Sequence, residues 1–193
     1  MKKKSTIGAW ITIDNYEYAE IMLQHNFNWV CIDLEHSTID LGSLKRLVSL
    51  SEKYNKKCYV RIADINKAYI NKILDVNVSG LIVANINHQE QLEKCFEYAF
   101  YSPVGKRGMG LSRAHKYGNN FRKYVQDEST QIEIIPMIES FEAINNLKSI
   151  LTYPGIKKSM IGPYDLSSSI NQAGNFKSKK FKSLIEEYSS VSE

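Results

Sequence analysis

An α/β fold of the TIM (β/α)8 barrel type, carried by about six βα units, is what the 193-residue sequence predicts, and three observations predict it. Short apolar runs recur along the chain, and each is followed by a stretch of helical periodicity. Most of these runs end in a polar residue. The clearest is Trp29-Val30-Cys31-Ile32-Asp33-Leu34-Glu35-His36-Ser37, a buried strand that runs straight into three ionisable side chains. Tyr59-Val60-Arg61, Leu81-Ile82-Val83, 134–139 and 160–165 repeat the plan. The helical stretch between successive strands makes the strands parallel with right-handed crossovers, and polar strand ends put a site at the C-terminal mouth.

Each element has its own local reason. Residues 7–13 are rich in β-branched and aromatic side chains and read as the first strand. Asp14 and Asn15 can cap a helix over 16–25. The second strand is 29–33. Asp40 caps a helix whose Leu41, Leu44, Leu47 and Val48 form an apolar stripe. The third strand, 57–61, is followed by a helix over 67–76, with Asn77 suited to a left-handed cap. Strand 80–84 leads to helix 89–100. Residues 101–118 then form a long basic, glycine-containing loop, a length usually kept for function. A short helix covers 120–126. Strand five is 132–138. Ser140 caps one helix with Phe141, Ile144, Leu147, Ile150 and Leu151 on its apolar face, stopped by Pro154-Gly155. Residues 158–161 are the sixth strand and 178–188 the last helix.

Six units are about two fewer than a closed barrel needs, over a chain shorter than the ~250 residues typical of one. A single domain over 1–193, truncated at its C-terminus, is the expected reading. The composition, 43% hydrophobic and 24% charged, is that of a globular protein. Net charge is +4, with lysines dispersed except for Lys2-Lys3-Lys4, so no basic stripe points to nucleic acid. No apolar run approaches the ~20 residues of a membrane helix, and no apolar stretch of signal-peptide type follows the lysines. Cys31, Cys58 and Cys95 are odd in number and widely spaced, which predicts buried free thiols. A cytoplasmic enzyme is expected.

The chemistry-bearing candidates stand at the strand ends. Glu139 and Asp165 each end an apolar strand, and two carboxylates there can share one hard divalent cation. They serve equally well as caps for the helix at Ser140 and for a turn after Gly162-Pro163. Arg61 would project where a guanidinium can stabilise a developing enolate or pair with Asp33 or Glu35. His36 has the titration range of a general acid or base. Gly162-Pro163-Tyr164-Asp165 offers backbone N–H groups, none of them from Pro163, suited to a substrate carboxylate.

Ile32-Asp33-Leu34-Glu35-His36, Val60-Arg61, Tyr101-Ser102-Pro103-Val104-Gly105-Lys106-Arg107-Gly108, Met137-Ile138-Glu139 and Ile161-Gly162-Pro163-Tyr164-Asp165-Leu166-Ser167 together resemble the HpcH/HpaI aldolases, metal-dependent pyruvate aldolases related to the citrate lyase β-subunit. The resemblance implies a TIM barrel assembled as a homo-oligomer, usually a hexamer. It implies reversible cleavage of a 4-hydroxy-2-oxo acid to pyruvate and an aldehyde. Glu139 and Asp165 match the ligands of a divalent metal (Mg²⁺, Mn²⁺ or Co²⁺). Arg61 matches the arginine on the pyruvate carbonyl and His36 the acid/base histidine, with Asp33 and Glu35 packed around it. Asp75 matches that histidine's partner, although helical periodicity alone puts it at a helix C-terminus, away from the strand ends. The backbone of 162–165 matches the substrate carboxylate site. Met137 stands where many members carry glutamine, and Ala84-Asn85 replaces a Val-Pro-type strand end. A citrate lyase β-like CoA-thioester lyase, or a catalytically impaired fragment or binding protein of the same family, are the alternative readings.

Overall fold

The computed structural model describes residues 5–192; Lys2-Lys3-Lys4 lie outside the described residues. Six strands, β1 (Gly8–Ile11), β2 (Trp29–Asp33), β3 (Lys57–Ile62), β4 (Gly80–Val83), β5 (Glu133–Ile138) and β6 (Met160–Ile161), form one sheet in chain order. Every neighbouring pair is parallel. Helices α1 (Tyr16–Gln24), α2 (Leu41–Lys53), α3 (Lys67–Leu74) and α4 (Gln89–Ala99) connect the first five strands, the last connection also holding α5 (Phe121–Gln126). Helices α6 (Phe141–Asn145) and α7 (Leu147–Leu151) precede β6; α8 (Pro163–Ser169) and α9 (Lys179–Ser192) follow it.

Strand periodicity divides the core in two. Outward residues, among them Ile11, Val30, Ile32, Val60, Leu81, Ile134 and Ile138, pack under the helices in the main cluster. Helix α2 contributes Leu44, Leu47, Val48 and Leu50, all nearly inaccessible, each burial stabilising by about 1.5–3 kcal/mol before entropy is counted. Inward residues form a second cluster of Cys31, Tyr59, Ile82, Ile135 and Met137, with Trp10, Trp29 and Met160 against it. One cluster that joins β1 to β6 requires a curled sheet, which is the barrel curvature. Two residues further along, the same inward rows deliver Asp33, Arg61 and Glu139 to the C-terminal mouth.

The local expectations hold with instructive exceptions. Asn15, Asp40 and Ser140 cap their helices through side-chain oxygens as expected, and Asn66, not anticipated, does the same for α3. Asn77 has φ +72°, the left-handed cap expected of it. The helix begun at Ser140 is two helices, because Asn146 leaves helical geometry and its side chain donates to Asn87 O at 2.9 Å. Strand β6 keeps only two of four expected residues, Lys158 turning to pair with Glu133. Residues 163–169 are helical, so that Pro163, Tyr164 and Asp165, expected ahead of a helix, form its first turn. The 101–118 loop ends in a 3-10 turn (Arg113–Gly118) and is pinned by Arg107, whose side chain is fully enclosed. All three cysteines are free and buried, and burial pushes the Cys58 and Cys95 thiols up to about 12. No helix among the described residues is long and apolar enough to cross a membrane.

Candidate active site

Adjacent strands in register bring the first pair together. Asp33 ends β2 opposite Arg61 of β3, and the guanidinium grips the carboxylate with both arms: Nε donates to Oδ1 at 2.8 Å and Nη2 to Oδ2 at 2.5 Å. Asp33 is completely inaccessible. The amides of Glu35 and His36 also donate to its Oδ1, at 3.0 and 3.3 Å. Burial alone would raise the Asp33 carboxyl, but Arg61 and the two amides together hold it below the usual range. Burial likewise works against the Arg61 charge, and the Asp33 hydrogen bond outweighs it, raising Arg61 above its ordinary value. Its guanidinium lies over the Trp10 ring, 5.2 Å from the centroid.

The second group faces this pair. Glu139, directly after β5, is buried, and its Oε1 accepts from the Asn85 amide at 2.6 Å. Desolvation raises its pKa; the Asn85 amide opposes this, the charges of Glu35 and Asp165 push further up, and the Arg61 charge pulls back down. Glu35 Oε2 lies 3.3 Å from Arg61 Nε, an ion-pair distance, yet it is buried with no hydrogen-bond partner. Asp165 is exposed in the first turn of α8, which Pro163 opens at its first position.

These residues fit a hard divalent cation. The donors are carboxylate oxygens, the repulsion of Glu35 and Asp165 on Glu139 is only partly offset by Arg61 and the Asn85 amide, and a buried Glu35 oxygen beside them accepts no hydrogen bond. A two-carboxylate arrangement completed by water and substrate oxygens is the Mg²⁺-type pattern. Among the described residues no three or more Asp, Glu, His or Cys side chains converge with ligand geometry, so the cation would rest on Glu139 and Asp165, with Glu35 near. Gly162 leaves the room: a Cβ there would sit 2.5 Å from Glu139 Oε2. Gly162→Ala is expected to cost about 1–3 kcal/mol in urea unfolding and to weaken cation binding together with it.

Two expectations need correction. Asp75, the C-cap of α3, does not reach His36; its carboxylate takes Arg107 Nη2 at 2.8 Å and fastens the 101–118 loop. The amide of Gly162 is not available to a substrate, because it continues the sheet by donating to Ile138 O at 3.0 Å. That leaves Tyr164 and Asp165 as the amides at the start of α8, and the Tyr164 ring packs edge-on against Phe176. His36 stands at the mouth, its side chain 68% exposed, with Glu35 Oε1 3.9 Å from its Nε2. The sequence reading did not anticipate the Asn85 amide or the Trp10 ring. The one sequence signal for the former was an asparagine directly after a strand, a residue that tolerates the left-handed backbone it adopts here, φ +56°.

Comparisons with known proteins bear on the family and the fold. The family model described as HpcH/HpaI aldolase/citrate lyase matches residues 6–191. A 4-hydroxy-2-oxo-heptane-1,7-dioate aldolase of Shigella flexneri is 30% identical over 183 residues, covering 94% of this chain and 68% of its own length. A 2-keto-3-deoxy-L-rhamnonate aldolase of Salmonella typhi is 28% identical over 187 residues, covering 96% of this chain and 70% of its own. The crystal structure of an HpcH/HpaI aldolase from Desulfitobacterium hafniense DCB-2 superposes with a TM-score of 0.89 at 25% identity, over 97% of this chain and 73% of that one. With a parallel βα sheet, acids and an arginine at its C-terminal mouth, and a match across nearly its whole length, this chain belongs to the HpcH/HpaI aldolase/citrate lyase family.

Proposed function

We propose that this protein is a divalent-cation-dependent aldolase that reversibly cleaves a 4-hydroxy-2-oxo acid to pyruvate and an aldehyde. The observation that carries the reading is Glu139: an acid buried after β5 with one oxygen on the Asn85 amide, raised first by desolvation and then by Glu35 and Asp165, across from an arginine held by Asp33. Arg61, immobilised by the bidentate pair, takes the 2-oxo oxygen of the keto acid and stabilises the negative charge that grows there. His36, open to the mouth, accepts the proton of the 4-hydroxyl. The C3–C4 bond then breaks, the aldehyde leaves, and the electron pair is held as the pyruvate enolate opposite Arg61 until C3 is reprotonated. Ile82, Ile135 and Met137 form an apolar floor under these groups. A hard cation, when bound at Glu139 and Asp165, supplies Lewis acidity toward the oxygens of the keto acid. The working form is a homo-oligomer in this reading, supported by Val104, Met109, Leu111 and Tyr117, four large apolar side chains exposed on one loop.

The test incubates the protein with Mn²⁺ or Mg²⁺ and 4-hydroxy-2-oxoheptane-1,7-dioate and follows pyruvate through a coupled reductase. Cation-dependent pyruvate, abolished by a chelator, is expected. No pyruvate from this acid or from shorter 4-hydroxy-2-oxo acids overturns the reading.

A further inference from the structure

Glu139 is aimed from outside its own strand. One carboxylate oxygen is held by the Asn85 amide at 2.6 Å, and the other lies against Gly162, where no side chain intrudes. The Asn85 amide points this way because Asn85 is in the left-handed region. A left-handed asparagine in an exposed turn does not hold itself in place. Gln91, in the first turn of α4, holds it. Its Oε1 accepts from the amides of Asn87 at 2.7 Å and His88 at 3.0 Å, and its Nε2 donates to Asn85 O at 2.8 Å. Both ends of one side chain thus close the turn that carries the amide. Asn146, donating to Asn87 O, and Ser140, donating to Asn87 Oδ1, brace the same turn from the β5 side.

We propose that Gln91 is a positioning residue for the cation site: by stapling the turn after β4 it fixes the Asn85 amide, which orients Glu139 so that its second oxygen faces the cation. The inference rests on the reading of Glu139 as a cation ligand. Groups that orient a ligand commonly set metal affinity by about 10–100-fold when removed.

The experiment titrates Mn²⁺ into wild type, Gln91→Ala and Ile150→Val by calorimetry and records the EPR spectrum of the bound ion. Ile150 is a buried residue of α7 outside the site, so its variant reports what lost stability alone does. Gln91→Ala is expected to bind Mn²⁺ about 10-fold or more weakly with an altered spectrum, and Ile150→Val within twofold of wild type. If Gln91→Ala melts below the titration temperature, Gln91→Glu carries the test: it keeps the acceptor for two amides, loses the donor to Asn85 O, and should bind with intermediate affinity. Wild-type binding and spectrum in the Gln91 variants, or equal weakening in Ile150→Val, overturns the inference while the cation site stands. Mn²⁺ binding that is missing in wild type, or unchanged in Glu139→Gln, overturns the reading of the site itself and the inference with it.

Discussion

Glu139→Gln is expected to lower Mn²⁺ affinity by more than about 100-fold, beyond the loss typical of residues that only support a ligand, and at the same time to raise the melting temperature of the chelator-treated protein. The two effects have one origin. The Glu139 carboxylate is desolvated and faces Glu35 and Asp165, so its charge is unfavourable until a cation offsets it. Glutamine keeps the oxygen that the Asn85 amide needs and removes the charge. A gain of about 1 kcal/mol corresponds to about 2–4 °C in a chain of this size. The sign with pH follows from a raised carboxyl: the folded-state penalty is full above the folded pKa, shrinks as pH falls through it, and is gone by about 4.3, the ordinary glutamate value. The variant's advantage in thermal scans should therefore be largest at neutral pH and disappear on acidification. A glutamine variant that melts lower than wild type at pH 7 would contradict this account of the site.

The larger effect on stability belongs to Asp33→Ala. Its removal takes the bidentate partner from the Arg61 guanidinium, only 14% exposed, leaving it the Glu35 carboxylate at 3.3 Å, and leaves the Glu35 and His36 amides without their acceptor. Breaking a buried pair from one side costs about 3–5 kcal/mol, to be read from urea midpoints at constant slope. Here the linkage runs the other way. The Asp33 carboxyl is held below its ordinary range, so its contribution is fully present above about 3.9, the unfolded value, and is lost as pH falls through the lowered folded value. The gap between wild type and variant should be level from pH 7 to about 4 and narrow below. A gap that widens in acid would mean that Arg61 is not what Asp33 serves.

Much of this arrangement was legible in the sequence because strand periodicity is local. Cys31 and Asp33, Tyr59 and Arg61, and Met137 and Glu139 are each two residues apart on inward rows, so an apolar run with a polar end locates the mouth without any knowledge of long-range contacts. The caps at Asn15, Asp40 and Ser140 are local for the same reason. What escaped reading depends on partners far along the chain. Asp75 finds Arg107, 32 residues on; Asn85 finds Glu139, 54 residues on; and Asn146 breaks a helix by reaching back 59 residues to Asn87. The resemblance supplied roles for Glu139 and Asp165 that periodicity alone left even with helix capping. It could not supply the amide that aims one of them.

Strand β6 is two residues long and forms one edge of the sheet. Gly162 and Asp165 hang from it, while Asp33 and Arg61 belong to interior strands paired on both sides. Half of the mouth is thus built on the segment with the fewest ladder bonds, where local opening is cheapest and amide exchange fastest. The free energy a ligand spends on quieting that edge is subtracted from its affinity, so whatever rigidifies β6 from its open side acts as a remote dial on occupancy without touching a single coordinating oxygen.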